Sequence, residues 1–247
     1  MTATITPAIR AELAPRAKLR VGVNFQNFLL VARDAVGGEP RGIAPDLAQE
    51  LARRLGVGVE FVAFNTAGKL ADAVKTGAWD VAFLGAEPQR AREIAFTKAY
   101  LEIPATYLVP DGSCIHTIAD VDREGVRIAV AEKSAYDLYL SRNIRHAQLV
   151  RAQDIDASYD LFVAKKLEAL SGLEPRLAMD AGKLPGSRVL EGQFMAVQQS
   201  IGTPVDREAA AIYLREFVEE MKAAGFVADA ISRHGVRGVT VAPGSSQ

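Results

Sequence analysis

Short apolar runs alternate with stretches of helical period along this chain, and the alternation occurs twice. Leu19–Val23 (LRVGV) reads as a first strand, since a brief apolar run bounded by turn residues suits a buried one. Asn24–Phe28 follows as a polar-aromatic loop, and Gly38–Gly42 marks a turn. In Pro45–Leu55, Leu47, Leu51 and Leu55 share one helical face, Arg53 and Arg54 lie on another, and Gly56 supplies a stop. Val59–Phe64 is a second strand, Ala67–Thr76 a helix ended by Gly77, and Asp80–Leu84 a third strand. This order predicts a parallel sheet with right-handed crossovers.

After Pro110-Asp111-Gly112 the pattern restarts. It predicts strands over Val126–Ala131, Leu149–Ala152 and Leu167–Ser171, with helices over Ser134–Leu140 and Tyr159–Lys166. A further strand at Phe194–Val197 and a long amphipathic helix at Asp206–Ala224, closed by Gly225, complete the chain. Two α/β units in series are expected, with the last helical segment free to return to the first. The tail Pro243–Gln247 reads as loose, and no solenoid-length repeat is visible.

Composition removes several functions. The 247 residues are 49% hydrophobic and 24% charged with net charge −1, an ordinary globular balance without the basic excess that nucleic acid or anionic lipid requires. No run is apolar enough to cross a membrane, and the N-terminus lacks the apolar core of a secretory leader. The expectation is a cytoplasmic protein as the chain stands, and a periplasmic one if a leader has been removed. The single cysteine, Cys114, cannot form an internal disulfide, and His116, His146 and His234 are too scattered for a zinc site. Gly68-Lys69 and Gly182-Lys183 are each followed by Leu, so neither is a phosphate loop, and Gly22 stands alone where a dinucleotide fold needs a glycine series. No nucleophile elbow is present either. No cofactor, metal or catalytic residue is expected.

One segment remains to be explained: DVAFLGAEPQRAREIAFT, from Asp80 to Thr97, joins an apolar strand to a charged turn of helix that opens with Pro88. Together with LRVGV, GIAPDLAQELARRLGVGVEFV, GVRIAVAEKSAYDLYL and AIYLREFVEEMKAAGFVADAISRHG, it resembles the family 3 solute-binding proteins of bacterial ABC transporters, receptors mostly for polar amino acids. The resemblance runs over residues 19–235. It implies a type II periplasmic-binding-protein fold, α/β, with two lobes joined by two crossover strands and a ligand cleft between them. Lobe 1 would be residues 1–108 plus 197–247, and lobe 2 residues 109–196.

The same resemblance implies the site. Ligands of open parallel sheets bind beyond the carboxyl ends of the strands. Arg90 lies just past such an end and matches the family arginine that grips a carboxylate, a role for which the guanidinium fork suits better than lysine. Gly85 stands five residues before it, where relatives carry Ser or Thr. In lobe 2, Ser134 matches the family hydroxyl at a helix N-terminus, Ala135 replaces the usual Thr, and Lys133 stands where Gly is common; Tyr136 completes the turn. Ser134 serves equally as a plain N-cap, and Lys133 as a solvated loop lysine. Asn24, Phe25, Asn27 and Phe28 occupy the loop where relatives place an acid and an aromatic plate, Phe64 and Asn65 match another wall, and Phe28 is assigned to the core.

The aspartate that would pair with a ligand ammonium falls on Leu173, with Glu174 next to it. Either Glu174, Glu87 or Glu132 supplies that charge, or the ligand is not an α-amino acid, because a buried unpaired ammonium costs several kcal/mol. The implied function is capture of a small carboxylate-bearing ligand by lobe closure, for an ABC permease partner, by a monomer that binds neither nucleic acid nor membrane. A cyclohexadienyl-dehydratase-like lyase, with Glu174 as proton donor beside Arg90, and a cytosolic sensor or carrier are the alternatives.

Overall fold

The computed structural model describes residues 4–32 and 38–244; residues 1–3 and 33–37, and residues 245–247 of the tail read as loose, lie outside the described residues. The first elements are α1 (Pro7–Leu13), β1 (Lys18–Asn24), α2 (Ile43–Leu55), β2 (Gly58–Phe64), α3 (Ala67–Asp72), β3 (Val81–Gly85), β4 (Ile94–Phe96) and β5 (Leu101–Val109). They are followed by β6 (Arg127–Ala131), α4 (Ala135–Asn143), β7 (Gln148–Ala152), α5 (Ile155–Ala164), β8 (Ala169–Leu173), α6 (Glu174–Ala181) and β9 (Arg188–Val189). The chain ends with β10 (Met195–Pro204), α7 (Glu208–Ala223), α8 (Phe226–Arg233) and β11 (Thr240–Val241). Two units result, Met1–Glu102 with Gln198–Gln247, and Ile103–Val197, so the chain passes between them within β5 and again within β10.

In the first unit β1 lies between β2 and β3, parallel to both, and β10 runs antiparallel to β3. Leu19–Val23 are all buried, as expected of a central strand covered on both faces. Gly22 is set by packing: a Cβ there would stand 2.5 Å from Leu70 Cδ1 and 3.0 Å from the Trp79 ring. Helix α2 buries Leu47, Leu51 and Leu55 and ends at Gly56 in the left-handed conformation. At the amino end of β3 the fully buried Asp80 accepts from Arg20 N, Nε and Nη2 and from Arg207 Nη1, tying β1 and the α7 approach to β3.

The second unit repeats the order. Strand β6 lies between β7 and β8, parallel to both, and β5 runs antiparallel to β8. Successive residues feed opposite faces of the sheet. Tyr107 and Ile128 join one core cluster with Leu140, while Leu108 and Ala129 join another with Phe162 and Leu177.

Several elements differ from the sequence reading or lie outside it. Pro104 breaks the apolar run of β5 in sequence, yet the strand continues through it. Strand β10 extends to Pro204 because Gln199, Ser200 and Thr203, polar by type, are buried and bonded within the sheet. The Ala67–Thr76 helix is α-helical only to Asp72 and then tightens to a 3-10 turn. After Pro88 there is only a 3-10 turn, Arg90–Arg92. Helices α1, α6 and α8 add to those read from the pattern. None of the helices among the described residues is long and apolar enough to cross a membrane.

Candidate functional site

Parallel strands β1, β2 and β3 end at the same edge of the first sheet, and the residues expected at a site there fall into two groups. Asn24 is the last residue of β1 and pairs in register with Phe64, the last of β2. The Phe25 amide donates to the Phe64 carbonyl at 3.1 Å. Asn24 Oδ1 accepts from Gln26 N at 3.2 Å, and its carbonyl accepts from Asn27 N at 3.1 Å, which folds the loop tightly. Asn27 Oδ1 is a buried acceptor with no partner among the described residues. Phe64 is half-buried and packs on the cluster of Leu70, Trp79 and Leu84. Phe28 is 40% exposed, which corrects its assignment to the core: it follows a polar turn and leaves burial to Leu29 and Leu30.

The second group is built on β3. Gly85 closes that strand, and Arg90 folds back from the 3-10 turn so that Nη1 donates to the Gly85 carbonyl at 2.6 Å. Arg90 is only 6% exposed and Glu87 only 5%. Burial draws the Arg90 guanidinium down to about 10, more strongly than the attraction of Glu87 and Asp72 holds it up. Nearby in this unit, a cavity of about 320 Å³ is lined by Thr97, Lys98, Glu102, Gln198 and Ser200 among others, and none of the expected site residues faces it.

In the second unit β6, β7 and β8 also end at one edge. Ser134 caps α4, its Oγ accepting from Asp137 N at 3.0 Å. Lys133, exposed, precedes it with φ 56°, and the Ser134 amide closes the turn on the Ala131 carbonyl at 3.2 Å. Ala135 and Tyr136 form the first turn of α4, both buried, and burial lifts the Tyr136 phenol to about 12 against its hydrogen bond with Ser134. Glu174 opens α6 directly after β8 and is exposed, as is Glu132, whereas Leu173 is buried.

Asp137 escaped the sequence reading. Its carboxylate, 3% exposed, accepts from Lys133 N at 2.8 Å and from Arg151 Nε at 3.0 Å. The spacing Ser134-Ala135-Tyr136-Asp137 is the serine-x-x-acid signature of a reciprocal helix cap, and that signal was there to be read. Among the described residues no group of three or more His, Cys, Asp or Glu could hold a metal ion.

Comparison with solved structures places this fold among type II periplasmic binding proteins. The solute receptor for L-cysteine of Neisseria gonorrhoeae superposes with a TM-score of 0.78 at 20% identity, over 93% of this chain and 95% of that one. An amino acid ABC transporter substrate-binding protein of Streptococcus pneumoniae bound to L-arginine gives 0.75 at 18%, over 96% and 100%. An ancestral amino acid-binding protein described as a precursor of cyclohexadienyl dehydratase gives 0.74 at 21%, over 91% and 97%. None of the curated proteins matches by sequence. The family model for bacterial extracellular solute-binding proteins, family 3, matches residues 19–235. The chain therefore belongs to the bacterial extracellular solute-binding proteins, family 3.

Proposed function

We propose that this protein captures a small carboxylate-bearing ligand, an amino acid or a related organic acid, without transforming it, as the binding component of an ABC transporter. The observation that carries this reading is Arg90. Its guanidinium is buried at the carboxyl end of a parallel strand, anchored through Nη1 to Gly85, and lies within the attraction of Glu87 and Asp72. An anchored guanidinium is already oriented, so less side-chain entropy is lost when an acid arrives. A charge-assisted hydrogen bond there contributes about 1.5–3 kcal/mol. In this reading Lys133, Ser134, Ala135 and Tyr136, at a helix terminus of the second unit, and Asn24, Phe25, Asn27 and Phe64, at the strand ends of the first, are ligand-binding residues. Glu174 stands at the second unit's edge.

A lyase reading has one observation in its favour: a second carboxyl, Glu87, is buried two residues past Gly85 and close enough to attract the Arg90 guanidinium. One experiment tests both readings. In a thermal-shift screen over amino acids, dicarboxylates, keto acids, aromatic acids and prephenate, a ligand at about 100 times its Kd adds about 2.7 kcal/mol. That is roughly a 5–11 °C shift at this size. The binding reading expects a hit that disappears in Arg90→Ala. Undiminished affinity in that variant overturns the role of Arg90, and release of carbon dioxide from prephenate replaces binding by catalysis.

A further inference from the structure

The turn between β6 and α4 has an internal contradiction that Asp137 resolves. Lys133 sits at φ 56°, a left-handed conformation that costs a residue with a Cβ roughly 1–2 kcal/mol and that glycine adopts freely. The carboxylate of Asp137 reaches one residue beyond the helix cap and takes the Lys133 amide at 2.8 Å. That carboxylate is itself held by Arg151 Nε at 3.0 Å, and Arg151 Nη2 reaches Ser141 Oγ at 2.8 Å. Ser141 Oγ in turn donates to the Asp137 carbonyl at 2.7 Å, so acid and guanidinium are fixed from both ends of the first two turns of α4.

We propose that Asp137 is the positioning residue of this turn: it holds Lys133 left-handed and thereby sets where the Lys133 and Ser134 side chains stand. The ligand consequence rests on reading residues 133–136 as part of the binding site; the conformational claim does not. In that reading Lys133 is kept, at a conformational cost, for its side chain, and Asp137 with Arg151 offsets that cost.

The test uses the full chain without ligand. Asp137→Ala is made alone and in a Lys133→Gly background, and amide hydrogen exchange is read residue by residue alongside the melting temperature. In the parent background the expected result is a fall in Tm on the order of 5 °C. Exchange of the Lys133 amide should speed up at least tenfold. With glycine at position 133 the Tm loss should shrink to less than half, because glycine needs nothing to hold it left-handed. Should the alanine variant fold poorly, Asp137→Asn, which keeps one acceptor for the Lys133 amide and gives up the Arg151 ion pair, should keep most of the Lys133 protection, and loss of that protection overturns the proposal. Equal Tm losses in both backgrounds, or unchanged exchange at Lys133, overturn the proposal and leave Asp137 as an ordinary helix cap. Since no ligand is involved, this failure is distinct from failure of the Arg90 screen.

Discussion

Asparagine at position 80 should be among the most costly single substitutions in the unit that carries Arg90. Each oxygen of Asp80 accepts two bonds: Oδ2 from Arg20 N at 3.1 Å and Nε at 3.0 Å, Oδ1 from Arg20 Nη2 at 2.7 Å and Arg207 Nη1 at 2.8 Å. An amide has the same outline but one acceptor. Whichever way it turns, its NH2 group meets two donors, and the Arg20 guanidinium, with its side chain 9% exposed, loses its counter-charge. Breaking a buried pair from one side costs about 3–5 kcal/mol. At 2–4 °C per kcal/mol for a chain of this size, Tm should fall by roughly 6–20 °C. Trp79 is the sole tryptophan and is fully buried beside Asp80, so its fluorescence in urea follows the first unit alone, which matters where two units need not unfold together. Replacing both partners, Arg20→Leu with Asp80→Leu, should cost less than Asp80→Asn, because the buried Arg20 charge leaves with its partner; Arg207, its side chain 19% exposed, loses its ion pair with Asp80 in both variants and keeps the Glu12 carbonyl at 2.6 Å. A loss below about 1 kcal/mol for Asp80→Asn, or an equal loss for the double replacement, would refute the reasoning.

Two further outcomes are expected. Gly22→Ala drives a methyl to 2.5 Å from Leu70 Cδ1 and should cost about 1–3 kcal/mol by urea denaturation, partly recovered by Leu70→Val, which withdraws that atom. Glu50 is hydrogen-bonded by Arg53 Nε at 2.7 Å and Arg54 Nε at 2.8 Å; the Arg53 bond most of all, opposed by burial, holds its carboxyl down at about 2 from an ordinary 4.5. Because the folded value is the lower one, its contribution is complete above about pH 4.5 and is lost as pH falls towards 2. The stability difference between the parent and Glu50→Gln, followed by denaturation at stepped pH, should therefore close over that window and stay flat above it.

The strands that carry the candidate site were legible because their apolar runs are short and bounded, and because the amphipathic stretches between them impose parallel crossovers. What stayed hidden was settled by tertiary contacts. Pro104 argues against a strand until its neighbours are seen to satisfy β5, and the Gln199–Ser200 segment reads as loop until the sheet buries it. Asp137 has the spacing of a helix-capping acid after Ser134, but only the left-handed Lys133 amide above it and Arg151 from β7 show what it holds. Glu87, Glu132 and Glu174 are alike in sequence as candidates for a ligand charge, yet Glu87 alone of the three is buried, as Arg90 is.

Arg90 and Arg92 show where residue type and spacing cease to discriminate. Both are arginines in the same charged turn, two positions apart, and in an α-helix either could face inward depending on the helix axis. The turn that forms is 3-10, with three residues per turn, so side chains two apart diverge by about 120°. Once Arg90 Nη1 is committed to the Gly85 carbonyl, that pitch sends Arg92 outward, and the two are respectively buried and exposed. The tightness of the turn follows from its surroundings. Gly85 ends β3 in register with Gln199, and Ile94 begins β4 against Pro204, so only a few residues span two strands bound to the same partner, β10. An α-helix of useful length does not fit that span. The arginine is buried because β10 clamps the chain on both sides of it, a consequence of the strand that returns from the far end of the sequence.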